Sequence, residues 1–310
     1  MSNKKTTIGG QAVIEGIVMK GPNKSCTVVR KADGTLVVTE KETKQPAAIW
    51  KKPVLRGAYS LFTAMKDGIE AINYSASFFE DEETDGPPSK FELWLEKKFG
   101  SEGLNKFIMG LSTVIGIALP VALFMLLPSF LGGLLPAGVG VLGRNVLEGI
   151  VRIVLFLLFM WSVSHMKDIR RTFEYHGAEH KTIFCYEAGD ELTVENVRRQ
   201  GRFHPRCGTS FMFVLIIIAT IVSSIVFSIV DITNPFLRML AHLVLLPLVV
   251  GLSYECNRFA GRVDNTFTRA LRWPGLMIQR LTVFEPDDSM IEVAITGMQA
   301  VIPTDGSDNW

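Results

Sequence analysis

Cysteine is scarce in this chain, and no two cysteines stand in the C-x-x-C spacing of a zinc ribbon or a redox motif. The four cysteines are Cys26, Cys185, Cys207 and Cys256. Their surroundings predict reduced thiols in cytosolic segments, with service as a metal ligand as the alternative. The first residues, MSNKKTTIGGQ, lack the apolar run of a signal peptide, so we expect the first hundred residues to stay on the side of the membrane where they are made.

A surplus of charge is missing as well. Lysine and arginine number 32 against 31 aspartates and glutamates, which gives a net charge of +1. No RNP, zinc-finger or basic-zipper pattern occurs, so we expect no nucleic-acid partner. What the chain has in excess is apolar residues: they make up 48% of it, and the mean hydropathy of +0.27 is too high for a soluble domain of this charge content.

Four apolar stretches are long enough to cross a bilayer. The first lies in a run of 37 uncharged residues between Lys106 and Arg144, and we expect a kink at its Pro120 and then a return loop rich in glycine and proline. The predicted spans are about 107–127, 145–164, 209–230 and 239–254. The lipid bilayer is therefore the first predicted partner of the chain.

Ionisable side chains occur beside and within the predicted spans. Arg144, Glu148 and Arg152 follow each other at steps of four, which places them on one helix face. We expect these charges to pair with each other near the outer interface, and a functional site inside the membrane is the alternative. His242, in the fourth span, is predicted to be a helix-packing residue, with a role as a ligand as the alternative.

The placement of lysine and arginine predicts the orientation. Sixteen precede the first span, eight lie in the loop from Lys167 to Arg206, and five follow Glu255, whereas the two short connections offer Arg144 and Arg238. The positive-inside rule then places both termini and the middle loop in the cytoplasm.

The segment before the spans contains strand signals. Residues 8–22, IGGQAVIEGIVMKGP, alternate loosely between apolar and small or polar positions, which predicts one strand with a turn at each end. Two β-branched runs flank Asp33 and Gly34, the strongest short signal for a hairpin. Glu15 is predicted to be a solvent-facing strand residue or, alternatively, a carboxylate that reaches a metal site.

Amphipathic helices are predicted on both sides of the spans. From 53 to 79 the apolar residues recur every 3.6 positions, which is typical of a helix that lies in the membrane interface or packs on the β-unit. The acidic stretch 80–88 is predicted to be a linker, with Ser89 capping the next helix. Beyond the last span an arginine-bearing amphipathic helix is expected, followed by a short helix capped near Asp287.

The predicted fold is a mainly α, polytopic membrane protein with four transmembrane helices, a small N-terminal cytosolic unit that contains a β-hairpin, and amphipathic interfacial helices. The predicted division is a small β-rich cytosolic unit at 1–50, amphipathic helices with the acidic linker at 51–106, a four-span membrane domain at 107–255 with a cytosolic loop at 166–208, and cytosolic amphipathic helices at 256–310.

The segment TFEYHGAEHK, between the second and third spans, contains two of the five histidines. On a helix, His176 and His180 lie one above the other with Glu179 beside them. Two imidazoles on successive turns can share a divalent ion, and the carboxylate can take a proton from water bound to it. The pattern His-x-x-Glu-His is that of inverted zincins, so it predicts a metal-dependent hydrolytic centre; a structural role in capping or packing is the alternative.

A site with two histidines needs a third protein ligand. Glu255, at the exit of the fourth span, is the first choice, because its separation from His180 is similar to that of the distal glutamate in inverted zincins. His204 and Cys207 are the alternatives, and together they predict a closed structural site. The candidates for holding an oxyanion, carboxylate or phosphate are Arg206 and Arg258.

Several segments resemble a known family. GGQAVIEG with Gly21-Pro22, YHGAEHK, HPRCGTSF, and EPDD followed by EVAI are similar to the YqhQ-like family of bacterial integral membrane proteins over nearly the whole chain. Val18 and Lys20 stand where the family pattern leads us to expect methionine and arginine. The family is a domain of unknown function, described as a predicted metal-dependent enzyme. The resemblance implies the bacterial inner membrane and favours a functional His/Glu/Cys cluster, but it implies no substrate.

These observations lead to three hypotheses. The first is a hydrolase that acts on a peptide or lipid-linked substrate at the cytosolic membrane surface, with a divalent metal, zinc by preference, bound by His176, His180 and Glu255 and with Glu179 as general base. The second is a membrane scaffold or regulator that binds a membrane or cytosolic protein, with a structural metal or none. The third is a metal transporter, which the scarcity of polar residues in the third span disfavours.

Overall fold

The computed structural model describes residues 5–43, 46–79, 90–136, 138–230, 232, 234–263 and 265–309. Within this part of the chain the structure is mainly helical, with one small N-terminal antiparallel sheet and four helices that are long and apolar enough to cross a membrane. The predicted fold class is therefore confirmed. The predicted linker at 80–88 and the predicted cap at Ser89 lie outside the described residues.

The strands are β1 (Gly9–Val13), β2 (Gly16–Lys20), β3 (Lys24–Arg30) and β4 (Leu36–Glu42). The helices are α1 (Leu55–Ala76), α2 (Lys90–Val121), α3 (Leu127–Gly133), α4 (Val141–Ser164), α5 (Lys167–Ala188), α6 (Val194–Arg198), α7 (Gly208–Ile229), α8 (Pro235–Arg262), α9 (Thr266–Thr282) and α10 (Asp288–Val301). A 3₁₀ turn at Ala48–Lys51 precedes α1, and a π-helical turn at Ala122–Leu126 joins α2 to α3.

The sheet is an antiparallel meander in which each strand pairs with the next along the chain. The prediction of a single strand at 8–22 is wrong, because the chain reverses at Ile14 and Glu15 and forms a hairpin of β1 and β2. Glu15 takes a positive φ of 47°, for which glycine or asparagine would have been the sequence signal. The hairpin predicted at Asp33 and Gly34 is confirmed, and it joins β3 to β4.

One face of the sheet packs against α5 and α10 and forms the main core. The buried side chains that the strands contribute to it include Ile17, Met19, Cys26 and Val28. Helix α10 is fixed over them from its first turn, where the Asp287 carboxylate accepts a hydrogen bond from the backbone N–H of Met290 at 2.9 Å. The N-cap predicted at Asp287 is therefore confirmed.

Helix α1 packs on the opposite face of the sheet. Ala71 is buried against Val13 and Val18, and the hydroxyls of Thr39 and Tyr74 lie 2.8 Å apart. The sequence left open whether this helix packs on the β-unit or lies in the membrane interface, and the packing on the sheet is what is observed. The helix also has a second apolar face, on which Phe62, Met65 and Ile72 are exposed.

The candidate membrane spans are Lys106–Gly133, Val141–Ser164, Gly208–Ile229 and Phe236–Arg262. Their number agrees with the prediction, but the first, second and fourth are longer than predicted. The first continues through the π-helical turn into α3 instead of ending near residue 127. That turn begins two residues after Pro120, whose ring removes a backbone donor, so the helix becomes irregular beside the residue where a kink was expected. Helices of this length and composition that are embedded in a membrane contact lipid.

The chain forms two compact units, each assembled from segments that are distant in sequence. The first unit comprises Met1–Phe78, Phe156–Ala219 and Leu246–Trp310, and the second comprises Phe79–Leu155 and Thr220–Leu245. The first unit contains the sheet together with α1, α5, α6, α9 and α10. Residues of the predicted β-unit, middle loop and C-terminal segment therefore share one core.

The second unit contains a network of charged side chains around Glu148 of α4. The fully buried Glu148 carboxylate accepts hydrogen bonds from Arg238 at 2.7 Å and Arg152 at 3.3 Å, and it lies 3.1 Å from Nε2 of His242. The pairing predicted for Arg152 is confirmed, but the same prediction for Arg144 is wrong. Arg144 donates instead to three backbone carbonyls of the connection before α4. These carbonyls satisfy its guanidinium group without a carboxylate partner.

We predict that Glu148→Gln strongly destabilises the protein. The substitution leaves two buried guanidinium groups without their counter-charge, which typically costs about 3–5 kcal/mol. Thermal or denaturant unfolding of the detergent-solubilised protein would measure this loss. Glu195→Gln is the matched control, because Glu195 pairs with Arg199 on the exposed surface of α6 and its loss should change little. Equal stability of the two variants would contradict the role given to Glu148.

Candidate metal centre

Helix α5 carries the histidine motif. It ends at Gly189, whose φ of 79° provides the left-handed conformation common after a helix C-terminus. His176 and His180 lie one turn apart on one face, as predicted, with ring centroids 4.4 Å apart. His180 is 2% exposed, whereas His176 is partly accessible.

Backbone carbonyls orient both imidazoles. Nδ1 of His176 lies 3.0 Å from the carbonyl oxygen of Thr282, and Nδ1 of His180 lies 2.6 Å from that of Arg202. Because a carbonyl oxygen can only accept, each Nδ1 is the donor, and in a neutral imidazole this leaves the lone pair on Nε2. Histidines that bind metals are commonly held in this way, with the far nitrogen donating to a carbonyl or carboxylate.

Cys207, the residue before α7, is the third side chain at this site. Its Sγ lies 3.3 Å from Nε2 of His176, and one ligand atom from each of His176, His180 and Cys207 lies within 4.8 Å of the other two. Cys207 is 6% exposed. Two imidazole nitrogens and a sulfur are ligand atoms that suit zinc.

A buried amide from α9 fixes the loop that carries Cys207. The Gln279 side chain accepts from the backbone N–H of His204 and donates to its carbonyl oxygen, both at 2.8 Å, in the manner of a neighbouring strand. The backbone N–H of Cys207 donates to the same carbonyl at 3.3 Å. Gln279 is completely buried, so the loop is held from inside the first unit.

Glu179 is a buried carboxyl group beside the converging ligands. Its Oε2 lies 4.0 Å from Nε2 of His176, and its side chain is 7% exposed. Burial raises the pKa of Glu179, while His176 and the backbone N–H of Gly10 act in the opposite direction. Gly10 is needed here because a Cβ would lie only 3.0 Å from the side-chain carbons of Glu179 and 2.8 Å from the carbonyl oxygen of Val18.

His204 is adjacent to the cluster of His176, His180 and Cys207 but is not part of it. Its ring centroid is 5.5 Å from that of His180, and its Nε2 lies 3.8 Å from the Glu187 carboxylate. Burial lowers the pKa of His204 to about 4, so the ring is neutral at neutral pH. The structure therefore brings Cys207 to the histidine pair and leaves its sequence neighbour His204 outside the cluster.

Glu255, the first choice for the third ligand, is engaged elsewhere. Its carboxylate forms a two-bond ion pair with Arg56 and accepts a hydrogen bond from the backbone N–H of Val54 at 3.2 Å. Val54, which precedes α1 and donates to Glu255, has the unusual φ of 68°. Glu15 is likewise outside the group, since it pairs with Arg171 at the β1–β2 turn.

The two arginines predicted to hold an anion have separate positions. Arg206 forms an ion pair with Glu187 and donates to the backbone carbonyl of Thr6 at 2.7 Å. This pairing holds the loop before α7 against the N-terminal segment. Arg258 lines a cleft on the other side of the sheet.

Comparison with known proteins identifies the family. Residues 52–304 match the model of a protein family described as protein of unknown function DUF1385. The chain belongs to this family. It is 32% identical over 300 residues to the uncharacterized protein YqhQ of Bacillus subtilis strain 168. The aligned residues cover 95% of this chain and 92% of the relative. No solved structure matches the chain.

The segments that resemble the family pack around this site. HGAEH supplies the histidines, HPRCGTS supplies Cys207, and GGQ supplies the close backbone approach at Gly10. The EPDD segment packs on α5 at Gly177, where a Cβ would overlap the carbonyl oxygen of Phe284. Sequence reasoning missed Gln279 and the carbonyls of Arg202 and Thr282, because a lone glutamine and a backbone carbonyl leave no pattern.

We predict that Gln279→Leu loosens the loop that carries Cys207. The variant leaves the buried backbone N–H of His204 unpaired, at a cost of about 1–3 kcal/mol, and its C=O keeps only the 3.3 Å bond from the N–H of Cys207. Unfolding in detergent should show the loss of stability. Alkylation of Cys207, located by peptide mass spectrometry, should become faster.

Gln200→Leu is the matched control, because the Gln200 side chain donates to Asp190 at the surface and, among the described residues, to no buried group. Unchanged alkylation of Cys207 in the Gln279 variant would contradict the proposed support.

Proposed function

We propose that the protein is a membrane-anchored, metal-dependent hydrolase whose zinc ion is held by His176, His180 and Cys207. The observation that carries the proposal is the orientation of the two imidazoles. Both Nδ1 atoms donate to backbone carbonyls, which leaves both Nε2 atoms to bind a metal. One ligand atom from each histidine and from Cys207 lies within 4.8 Å of the other two. Cys207 replaces Glu255 in the ligand set expected from sequence.

A set of three protein ligands favours a catalytic metal over a structural one. Three protein ligands leave one position of a tetrahedral zinc ion open to water, as in catalytic zinc sites. A bound zinc ion supplies a nucleophile at neutral pH and polarises a carbonyl or phosphoryl oxygen. Glu179, with Oε2 4.0 Å from Nε2 of His176, is placed to take a proton and return it to a leaving group.

The substrate proposed is a peptide or a lipid-linked compound at the cytosolic surface of the bacterial inner membrane. The four apolar spans anchor the chain in a bilayer. The excess of lysine and arginine before the first span and between the second and third spans favours a cytosolic site.

A structural metal is the second candidate function, and burial favours it. His180 and Cys207 are 2% and 6% exposed, and Glu179 is close enough to His176 to become a fourth ligand after a small rotation. Four protein ligands would leave no place for water. The metal would then tie α5 to the loop before α7 in a membrane scaffold that binds another protein.

We predict that the purified protein contains about one zinc ion per chain. His176→Ala with His180→Ala, and separately Cys207→Ser, should remove most of it, because each change deletes a ligand atom. Elemental analysis by mass spectrometry measures the content. His165→Ala and Cys256→Ser are the controls, since both residues lie outside the converging group and should leave the zinc in place. Full retention of zinc by the ligand variants would refute the site.

Glu179→Gln separates the two candidate functions. If Glu179 is the general base, zinc content stays unchanged and hydrolysis of peptide and lipid-ester probes in mixed micelles falls by about 10²–10⁴-fold. If Glu179 is a fourth ligand, zinc retention falls and X-ray absorption shows one oxygen neighbour fewer. Glu174→Gln is the matched control on the same helix, because Glu174 pairs with Arg170 at 3.5 Å on the surface.

A further inference from the structure

We propose that a cleft of about 1000 Å³ between the sheet and α1 is a binding site for a phosphate group, carried either by a phospholipid or by a soluble phosphate ester. The cleft belongs entirely to the first unit, and none of its lining residues is a metal ligand or Glu179. The proposal therefore does not depend on the hydrolase hypothesis.

The alternation of side chains along the strands makes one face of the sheet polar. Residues next to the buried core positions of β2 and β3 point to the opposite side, since successive side chains alternate. Seven strand residues line the cleft. Val18, Lys20, Ser25, Thr27, Thr39 and Lys41 are cross-strand partners of each other, and Glu42 lies at the end of β4. The floor of the cleft therefore presents hydroxyl and ammonium groups, both hydrogen-bond donors.

Six lysines and arginines line the cleft against three carboxylates. Half of these cations already have partners: Lys20 pairs with Asp67, Lys41 with Glu70, and Arg56 with Glu255. These pairs neutralise Asp67 and Glu70, so Glu42 is the one lining carboxylate with no ion pair among the described residues.

The other three cations are available to a ligand. The side chains of Lys51, Lys66 and Arg258 form no hydrogen bond or ion pair with the described residues, although all three line the cleft. These three cations outnumber Glu42, the one carboxylate of the cleft without an ion pair among the described residues. The cleft therefore has an excess of positive charge. Charge-assisted hydrogen bonds from lysine and arginine, with nearby hydroxyls, are the usual means of holding phosphate.

The position of the cleft makes a lipid headgroup an accessible source of phosphate. Tyr254 and Arg258 belong to the last turns of the fourth span, Phe236–Arg262. At the rim, the rings of Trp50 and Tyr59 stack with centroids 5.5 Å apart. Aromatic side chains of this kind are enriched where a bilayer meets water.

The test uses full-length protein in detergent and native mass spectrometry. The probes are phosphatidylglycerol, a fatty acid as an anion without phosphate, and glycerol phosphate as a soluble competitor. Lys66→Gln with Arg258→Gln should weaken phosphatidylglycerol binding by about thirtyfold, since each cation near a membrane surface contributes about fivefold. Lys167→Gln with Arg199→Gln is the control, because it removes the same charges from exposed positions outside the cleft.

A second variant separates an effect on binding from an effect on folding. Lys51 and Lys66 are both exposed, so Lys51→Gln with Lys66→Gln should fold normally and should also weaken binding. Competition by glycerol phosphate would identify a soluble ester as the ligand, and its failure to compete would identify a lipid; both results support a phosphate site. Equal binding by cleft and control variants, or fatty-acid binding with the same sensitivity to the cleft variants, would overturn the proposal.

Discussion

The packing of α5 against both the sheet and α10 is the constraint on which the rest of the first unit depends. Nine of its residues are buried, and they include Glu179 and His180 as well as apolar side chains. At Gly177 the helix approaches the backbone of Phe284 so closely that no side chain fits. A helix fixed on several sides holds its polar residues at defined positions, which a metal site requires.

Backbone atoms stabilise several of the polar side chains that this packing buries. The imidazoles of His176 and His180 bind carbonyls of two different segments, and Gln279 replaces a strand partner for His204. Such bonds are short-ranged and directional, so they exist only after the chain has folded. Buried donors and acceptors are costly when unpaired, so these bonds also favour one arrangement of the loop before α7.

The sequence predictions agree best with the structure for features that depend on neighbouring residues. The spans followed from uncharged runs, and the hairpin at Asp33 followed from turn chemistry, because both depend on neighbours in sequence. The first hairpin was missed because Glu15 takes a positive φ without being glycine. Spacing in sequence does not reveal that Glu255 pairs with Arg56, about two hundred residues earlier.

The sequence by itself determined the membrane class, the number of spans, the helical face shared by His176 and His180, and a short set of further ligand candidates. Only the tertiary structure decided that Cys207 joins the pair while His204 and Glu255 do not. The physical reason is range: helix periodicity and hydropathy act over a few residues, whereas a metal site is formed by side chains whose approach depends on the packing of distant segments.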